Sequence, residues 1–282
     1  PPPPPPPPPH HHPPPPPQQP TTSQSSAASD VYKRQRMANL AISGLLFQRG
    51  DLASASGTVL RDYSKEQIIK GMKGDGSDGP IFTPGFHDAI PLIQKTRIRS
   101  FDRESEGYPS IVMKNPIISE TGELLWYHGK GKGRVIIDSK RSQGLLGFIG
   151  EAEAETCNLS VDIANKFCAV QLASLDGNPI EESEVMLLTT TSRSGLSGME
   201  WNEDRTSLLE FGKKPAIIET VKGTVTLRGL QDFSTAEVSY LDGSGQVIKT
   251  KEFESGSAIE ISVGEVATVW YILKIDRKDD AN

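Results

Sequence analysis

The stretch Gly122–Gly150, GELLWYHGKGKGRVIIDSKRSQGLLGFIG, restricts the fold more than any other part of the chain. Leu124-Leu125-Trp126-Tyr127 and Val135-Ile136-Ile137 are short runs of the bulky, aromatic and β-branched residues that fill a pleated surface. Between them Gly129-Lys130-Gly131-Lys132-Gly133 supplies the positive φ at which a chain reverses. Leu145-Leu146-Gly147-Phe148-Ile149 then adds a third strand. The reading is a β-hairpin followed by a further strand.

The same pattern continues on both sides. From Ile81 onward the sequence predicts strands over Ile90–Ile98, Ser110–Met113, Phe167–Leu175, Val185–Thr191, Ala216–Val221 and Thr224–Leu227. More follow over Glu237–Leu241, Gln246–Lys251, Ala258–Ser262 and Ala267–Ile275. Turn signals separate them, the clearest being Asp176-Gly177-Asn178-Pro179 and Asp242-Gly243-Ser244-Gly245. Val225 and Leu227 alternate with Thr224 and Thr226, and Val269, Tyr271 and Leu273 share one face of the last strand. The predicted fold class is mainly β, with antiparallel sheets packed as a sandwich. Roughly 200 residues from Ile81 onward exceed the roughly 100 of a simple sandwich, so two linked β-units or one elaborated sandwich is expected.

The N-terminal part is different in kind. Pro1–Gln24 is polyproline with His10-His11-His12 and a Gln/Thr/Ser tail, which cannot bury a core and is expected to stay extended or disordered. Ser25–Gln35, SSAASDVYKRQ, resembles the translation of a transposase-type sequencing adapter. Residues 1–35 are therefore expected to be non-native read-through, with Arg36 opening a truncated natural protein of environmental origin. Met37–Arg49 is the clearest helix: Met37, Leu40, Ala41 and Leu45 fall on one face, Ile42, Leu46 and Phe47 widen it, and Arg49-Gly50 forms the stop. So wide an apolar face implies burial against something larger than this chain. A short strand over Thr58–Leu60 leads to Ser64-Lys65-Glu66-Gln67, a capping box opening a helix to about Met72.

Charge and chemistry exclude several classes. With 36 acidic against 30 basic residues the net charge is −6, and no basic run argues for nucleic acid or an anionic membrane. No apolar stretch approaches the roughly 20 residues that span a bilayer. The two cysteines, Cys157 and Cys168, are too few for a disulfide framework, and a buried free thiol is expected for each. Gly74–Pro80 fails as a calcium loop, because Gly79 and Phe86 stand at the fifth and twelfth positions counted from Asp75. Gly195-Leu196-Ser197-Gly198 lacks the closing glycine of a nucleophile elbow, Met199 standing in its place. Gly129–Gly133 leads into a strand, not the helix a phosphate loop needs. His87 and His128 have no ligand spacing and are expected to be surface or hydrogen-bonded histidines. No metal ligands, cofactor or catalytic residues are assigned.

Three segments together resemble one family. The first is Leu45–Asp51 (LLFQRGD). The second is the Trp-ended strand, glycine turn, V-x-I-D strand and S-x-R-S-Q-G step of Leu124–Gly144. The third is Gly198, Met199, Trp201, Asn202, Asp204, Arg205, Thr206 and Ser207 within the long loop Ser192–Lys214. All three are similar to the region after the catalytic barrel in multidomain bacterial glycoside hydrolases. The resemblance implies a short helical remnant of a (β/α)8 barrel over residues 36–75, and an accessory β-sandwich over 76–282. It further implies a parent acting on β-linked glycans, secreted or periplasmic, whose acid and nucleophile lay upstream and are lost. Glycoside hydrolysis needs two carboxylates roughly 5–9.5 Å apart, and nothing marks Glu203 and Asp204, adjacent in a loop, as that pair.

Two functions of different kind follow. In the first the chain buttresses the missing barrel, which is its partner, and has no activity. In the second it is a carbohydrate-binding module. Trp201 would then offer a face to a polysaccharide, Asn202, Glu203 and Arg205 would bond its hydroxyls, and Trp126 or Trp270 would add a second platform. Trp270, inside an alternating strand, is the weakest of these. The plainer expectation for the loop is that Trp201 and Met199 plug a gap between packed units while its polar groups satisfy the backbone.

Overall fold

Tight turns fold several strands back on their predecessors, others pair across longer connections, and the pairing is antiparallel almost throughout. The computed structural model describes residues 39–72, 86–104, 107–129, 132–203, 205–256 and 258–278. The hairpin is β4 (Leu124–Tyr127) with β5 (Arg134–Asp138), Leu125 facing Ile136 and Trp126 facing Val135. The third strand, β6 (Ser142–Gly147), pairs with β5. It ends earlier than expected, because Gly147 adopts φ +100° and Ile149–Glu151 forms a 3-10 turn.

Around this seed grows a nine-stranded antiparallel sheet. Beyond β4 lies β3 (Ile117–Ile118). On the other side come β8 (Cys168–Ser174), β9 (Val185–Ser192), β18 (Trp270–Arg277), β15 (Phe233–Leu241) and β16 (Val247–Glu254), in that order. A second, three-stranded antiparallel sheet places β14 (Gly223–Arg228) between β7 (Leu159–Ile163) and β17 (Ala258–Val263). Alternation along both sheets meets in one core. The large sheet contributes Leu145, Val170, Leu172, Met186, Leu188, Val238, Tyr240, Tyr271 and Leu273. The small one contributes Leu159, Val225, Leu227, Ile259 and Ile261. Every one of these side chains is inaccessible to solvent. At about 1.5–3 kcal/mol for each large apolar side chain buried, this layer outweighs any surface contact in the molecule.

A buried polar strut crosses the same space. Gln143 of β6 donates from Nε2 to Asn158 Oδ1 at 2.9 Å and accepts from Thr156 Oγ1 at 2.6 Å. Asn158 in turn donates to the Arg228 carbonyl of β14 at 3.0 Å. Each group is satisfied, so the strut joins the sheets without an unmade hydrogen bond.

Helix α1, described over 39–49, covers part of the opposite face of the large sheet. Ile42, 2% exposed, packs with Ala173 of β8 and Leu187 of β9, with Leu45 and Ile272 alongside. The helix ends as its sequence predicts: Gly50 takes φ +62°, its N–H reaches the Phe47 carbonyl, and the Asp51 N–H reaches that of Leu46. Downstream, β1 (Thr58–Asp62) precedes α2 (Lys65–Met72). The capping box forms, with Gln67 N–H donating to Ser64 Oγ at 3.2 Å and Ser64 N–H to Gln67 Oε1 at 2.9 Å.

Several expectations need correction. Ile90–Ile98 is not one strand: Pro91 opens a short helix, α3 (Ile90–Ile93), and β2 (Lys95–Ser100) follows. β2 runs parallel to β1 in a separate two-stranded sheet. Ser110–Met113 forms no strand. Pro109 and Pro116 flank it without N–H donors, and the chain is pinned instead by Asn115, which exchanges hydrogen bonds with the His128 backbone. The predicted loop over Ser192–Lys214 is partly paired, as β10 (Ser194–Ser197), β11 (Glu200–Trp201) and β12 (Leu208–Glu210). The strand expected at Ala216–Val221 starts earlier, as β13 (Lys213–Ile218), because it pairs with β10. Residues 1–35 and the Gly74–Pro80 loop lie outside the described residues.

Candidate functional site

Trp201, Asn202, Glu203 and Arg205 come together on the β11–β12 hairpin, a two-stranded ribbon apart from both layers of the sandwich. Asn202 builds its turn. Its Oδ1 accepts from the N–H groups of Thr206 at 2.8 Å and Ser207 at 3.0 Å, and its Nδ2 donates to Thr206 Oγ1 at 2.9 Å. The amide is thus spent within its own turn, the behaviour of Asn in tight turns. Arg205 sits in the left-handed region at φ +54°, and the Asn202 carbonyl accepts its N–H. Glu203 and Arg205 are exposed. Asp204 lies outside the described residues.

Trp201 is 40% exposed, so among the described residues it plugs no gap. Met199 is half-buried against Gly195, a Cβ on which would stand 3.4 Å from its sulfur. The hairpin approaches its neighbour closely at Gly212, φ +71°, where a Cβ would stand 2.6 Å from the Ser197 carbonyl. Leu209, Phe211 and Ile217 are also exposed on this arm.

Trp126 is not part of that group. It stands on β4 in the large sheet, 38% exposed, while its neighbours Leu125 and Tyr127 turn toward the core. Trp270, partly buried on β18 opposite Thr189, points away from the core-facing Tyr271. The aromatic candidates therefore occupy separate elements and do not form one platform.

The remaining motif residues fasten the fold. Arg49 grips Asp51 through two hydrogen bonds, Nε to Oδ1 at 3.1 Å and Nη2 to Oδ2 at 2.5 Å, and donates from Nη1 to the Ser174 carbonyl at 2.6 Å. Ser142 Oγ donates to the same Asp51 carboxylate at 2.5 Å. The Asp51 side chain is fully buried. This clasp ties the end of α1 to β6 and β8; its charged pair is legible in the sequence only as a helix stop. A second clasp holds residues 56 and 57, where the Glu120 carboxylate accepts from Ser56 N–H and Oγ–H and from Gly57 N–H. These bonds, Ser56's first, keep the Glu120 carboxyl below its ordinary range. It borders a shallow depression of about 290 Å³ lined largely by residues 52–55, Pro91–Thr96 and Leu124.

Comparison with protein-family models, curated proteins and solved structures finds no match. Of the described residues, His87 and His128 are hydrogen-bonded to backbone: His87 Nδ1 accepts from the Ala89 N–H at 3.0 Å, and His128 Nε2 pairs with the Lys114 carbonyl at 3.0 Å. Cys168 is buried, and burial pushes its thiol up to about 12. Cys157, expected to be buried, is exposed, because it lies on the loop entering β7; its hydrogen bond with Asp138 raises the thiol. Among the described residues no cluster of three His, Cys, Asp or Glu has metal-ligand geometry, and no helix is long and apolar enough to cross a membrane.

Proposed function

We propose that this chain is the C-terminal accessory β-region of a glycoside hydrolase acting on β-linked glycans, and that it supports a catalytic (β/α)8 barrel without catalysing the reaction itself. The observation that carries the reading is the two-sidedness of α1. At 100° per residue, Ile42, Leu45 and Arg49 point one way and are taken up by the sheet. Leu40 and Phe47 point the opposite way and are 64% and 85% exposed. A helix already docked on one face yet apolar on the other fits between two bodies. The likeness of LLFQRGD to the end of a barrel's last helix supports reading α1 as the remnant of that helix. The clasp from Arg49 and Asp51 to Ser142 and Ser174 gives the junction a rigid geometry.

The carbohydrate-binding alternative draws support from one feature, the exposed ring of Trp201 on a projecting hairpin. Incubating the chain with insoluble cellulose, xylan and mannan separates the two. The accessory reading expects no retention and no turnover of aryl β-glycosides. Retention lost in Trp201→Ala would establish the module instead, and turnover by this chain would overturn both.

A further inference from the structure

A cleft of about 520 Å³ opens at the edge of the sandwich, between the β7–β8 turn, the start of β10 and the β13–β14 link. Its frame is fixed by backbone and amide bonds. Asn165 acts as the buckle: Oδ1 accepts the Lys222 N–H at 2.8 Å, and Nδ2 donates to the Thr220 carbonyl and to Glu219 Oε1, both at 3.1 Å. The Glu219 N–H donates to the Arg193 carbonyl at 2.8 Å, and the Ala164 N–H to that of Lys222 at 2.9 Å. Beneath the turn, Gly150 admits the chain so closely that a Cβ there would stand 2.1 Å from the Asn165 carbonyl.

Three cations line this frame. Arg193 stacks its guanidinium 5.2 Å from the Phe167 ring centre and has no carboxylate within ion-pair distance among the described residues. The same is true of Lys222. Lys166 lies 3.9 Å from Glu151, which is already bound by Lys132 at 2.5 Å. The one carboxylate in the cleft, Glu219, is held by neutral donors, Asn165 on one oxygen and Ser192 Oγ at 2.7 Å on the other. Local charge is therefore positive on a chain whose net charge is −6.

We infer that this cleft binds an acidic sugar, one that carries a carboxylate or sulfate ester. The cations address the oxyanion, while the Glu219 carboxylate keeps lone pairs for hydroxyl donors. A bare inorganic oxyanion has no hydroxyl to donate to Glu219, and a neutral sugar would leave the cations unused. The volume suits a small ring-bearing ligand rather than a single ion, and the half-buried Phe167 supplies apolar surface beside the charges. The inference does not rest on the accessory-region reading and does not involve Trp201.

Titration calorimetry and chemical-shift mapping of the whole chain with a glucuronate disaccharide, its neutral glucose counterpart and inorganic sulfate test it. Binding of the glucuronate with Kd on the order of 1 mM is expected, weakening with added salt. Arg193→Gln with Lys222→Gln should weaken it by about tenfold, and Trp201→Ala should leave it unchanged. Lys166→Gln, on a side chain 76% exposed, gives a milder loss without risk to the fold. Equal binding of the neutral sugar, sulfate binding as tightly as the glucuronate, or indifference to the charge-neutralising variants would overturn the proposal.

Discussion

Ile42→Ala tests whether α1 belongs to the sandwich. The side chain is 2% exposed and touches a small cluster of Ala173, Leu187, Leu45 and Ile272. The change removes three carbon groups at about 0.8 kcal/mol each, or about 2.4 kcal/mol. Alanine recovers about 0.4 kcal/mol through its better helix propensity. So small a cluster closes partly over the gap, which keeps the added cavity term low. A net loss of about 2 kcal/mol follows, equivalent to about 4–8 °C in Tm for a domain of this size. Phe47→Ala removes a larger side chain but one that is 85% exposed, so its effect should stay within about 0.5 kcal/mol. Urea unfolding followed by tryptophan fluorescence gives both values, and hydrogen exchange of amides 39–49 reports whether the helix itself loosens. An Ile42→Ala chain with unchanged stability and undiminished exchange protection, or a Phe47→Ala loss as large as that of Ile42→Ala, would refute the docking.

Gly223 opens β14 at φ +143°, and a Cβ there would stand 2.1 Å from the Asp162 carbonyl, so Gly223→Ala should cost more than about 2 kcal/mol in urea unfolding. Gly243→Ala, in open space, should be near neutral by the same measurement. Ellman's reagent at pH 8 should modify one thiol per native chain, Cys157. Asp138→Asn should speed that reaction by removing the carboxylate charge whose hydrogen bond and repulsion raise the thiol. The hydrogen bond from Arg99 holds the Asp62 carboxyl below its ordinary range. A depressed carboxyl adds stability above its unfolded pKa and loses it as pH falls through the folded value. Asp62→Asn should therefore be less stable than the parent at pH 7, with the difference in melting temperature closing below about pH 4.

Much of the β architecture is legible where a local rule decides. The Asp242–Gly245 turn, the Asp176–Pro179 turn, the Ser64–Gln67 box and the Arg49-Gly50 stop act within a few residues, and each stands where the sequence places it. Errors arise where distant partners decide. β10 to β12 read as loop because Ser194-Gly195-Leu196-Ser197 carries weak β propensity and Glu200-Trp201 is too short to signal a strand; β13 and the turn built by Asn202 hold them in place. Ile90–Ile93 reads as strand from its apolar run, yet Pro91 favours the first turn of a helix. The same limit applies to the site. Trp201 and Trp126 are visible as aromatics, but their separation depends on sheet order. The cleft around Arg193 and Lys222 joins residues from three connections, which no spacing in the sequence reveals.

The coding sequence extended upstream of Arg36 bears most directly on the proposed role. A (β/α)8 barrel whose eighth helix is α1, with two carboxylates at strand ends, is the predicted result. Another domain type running into the same helix would contradict it.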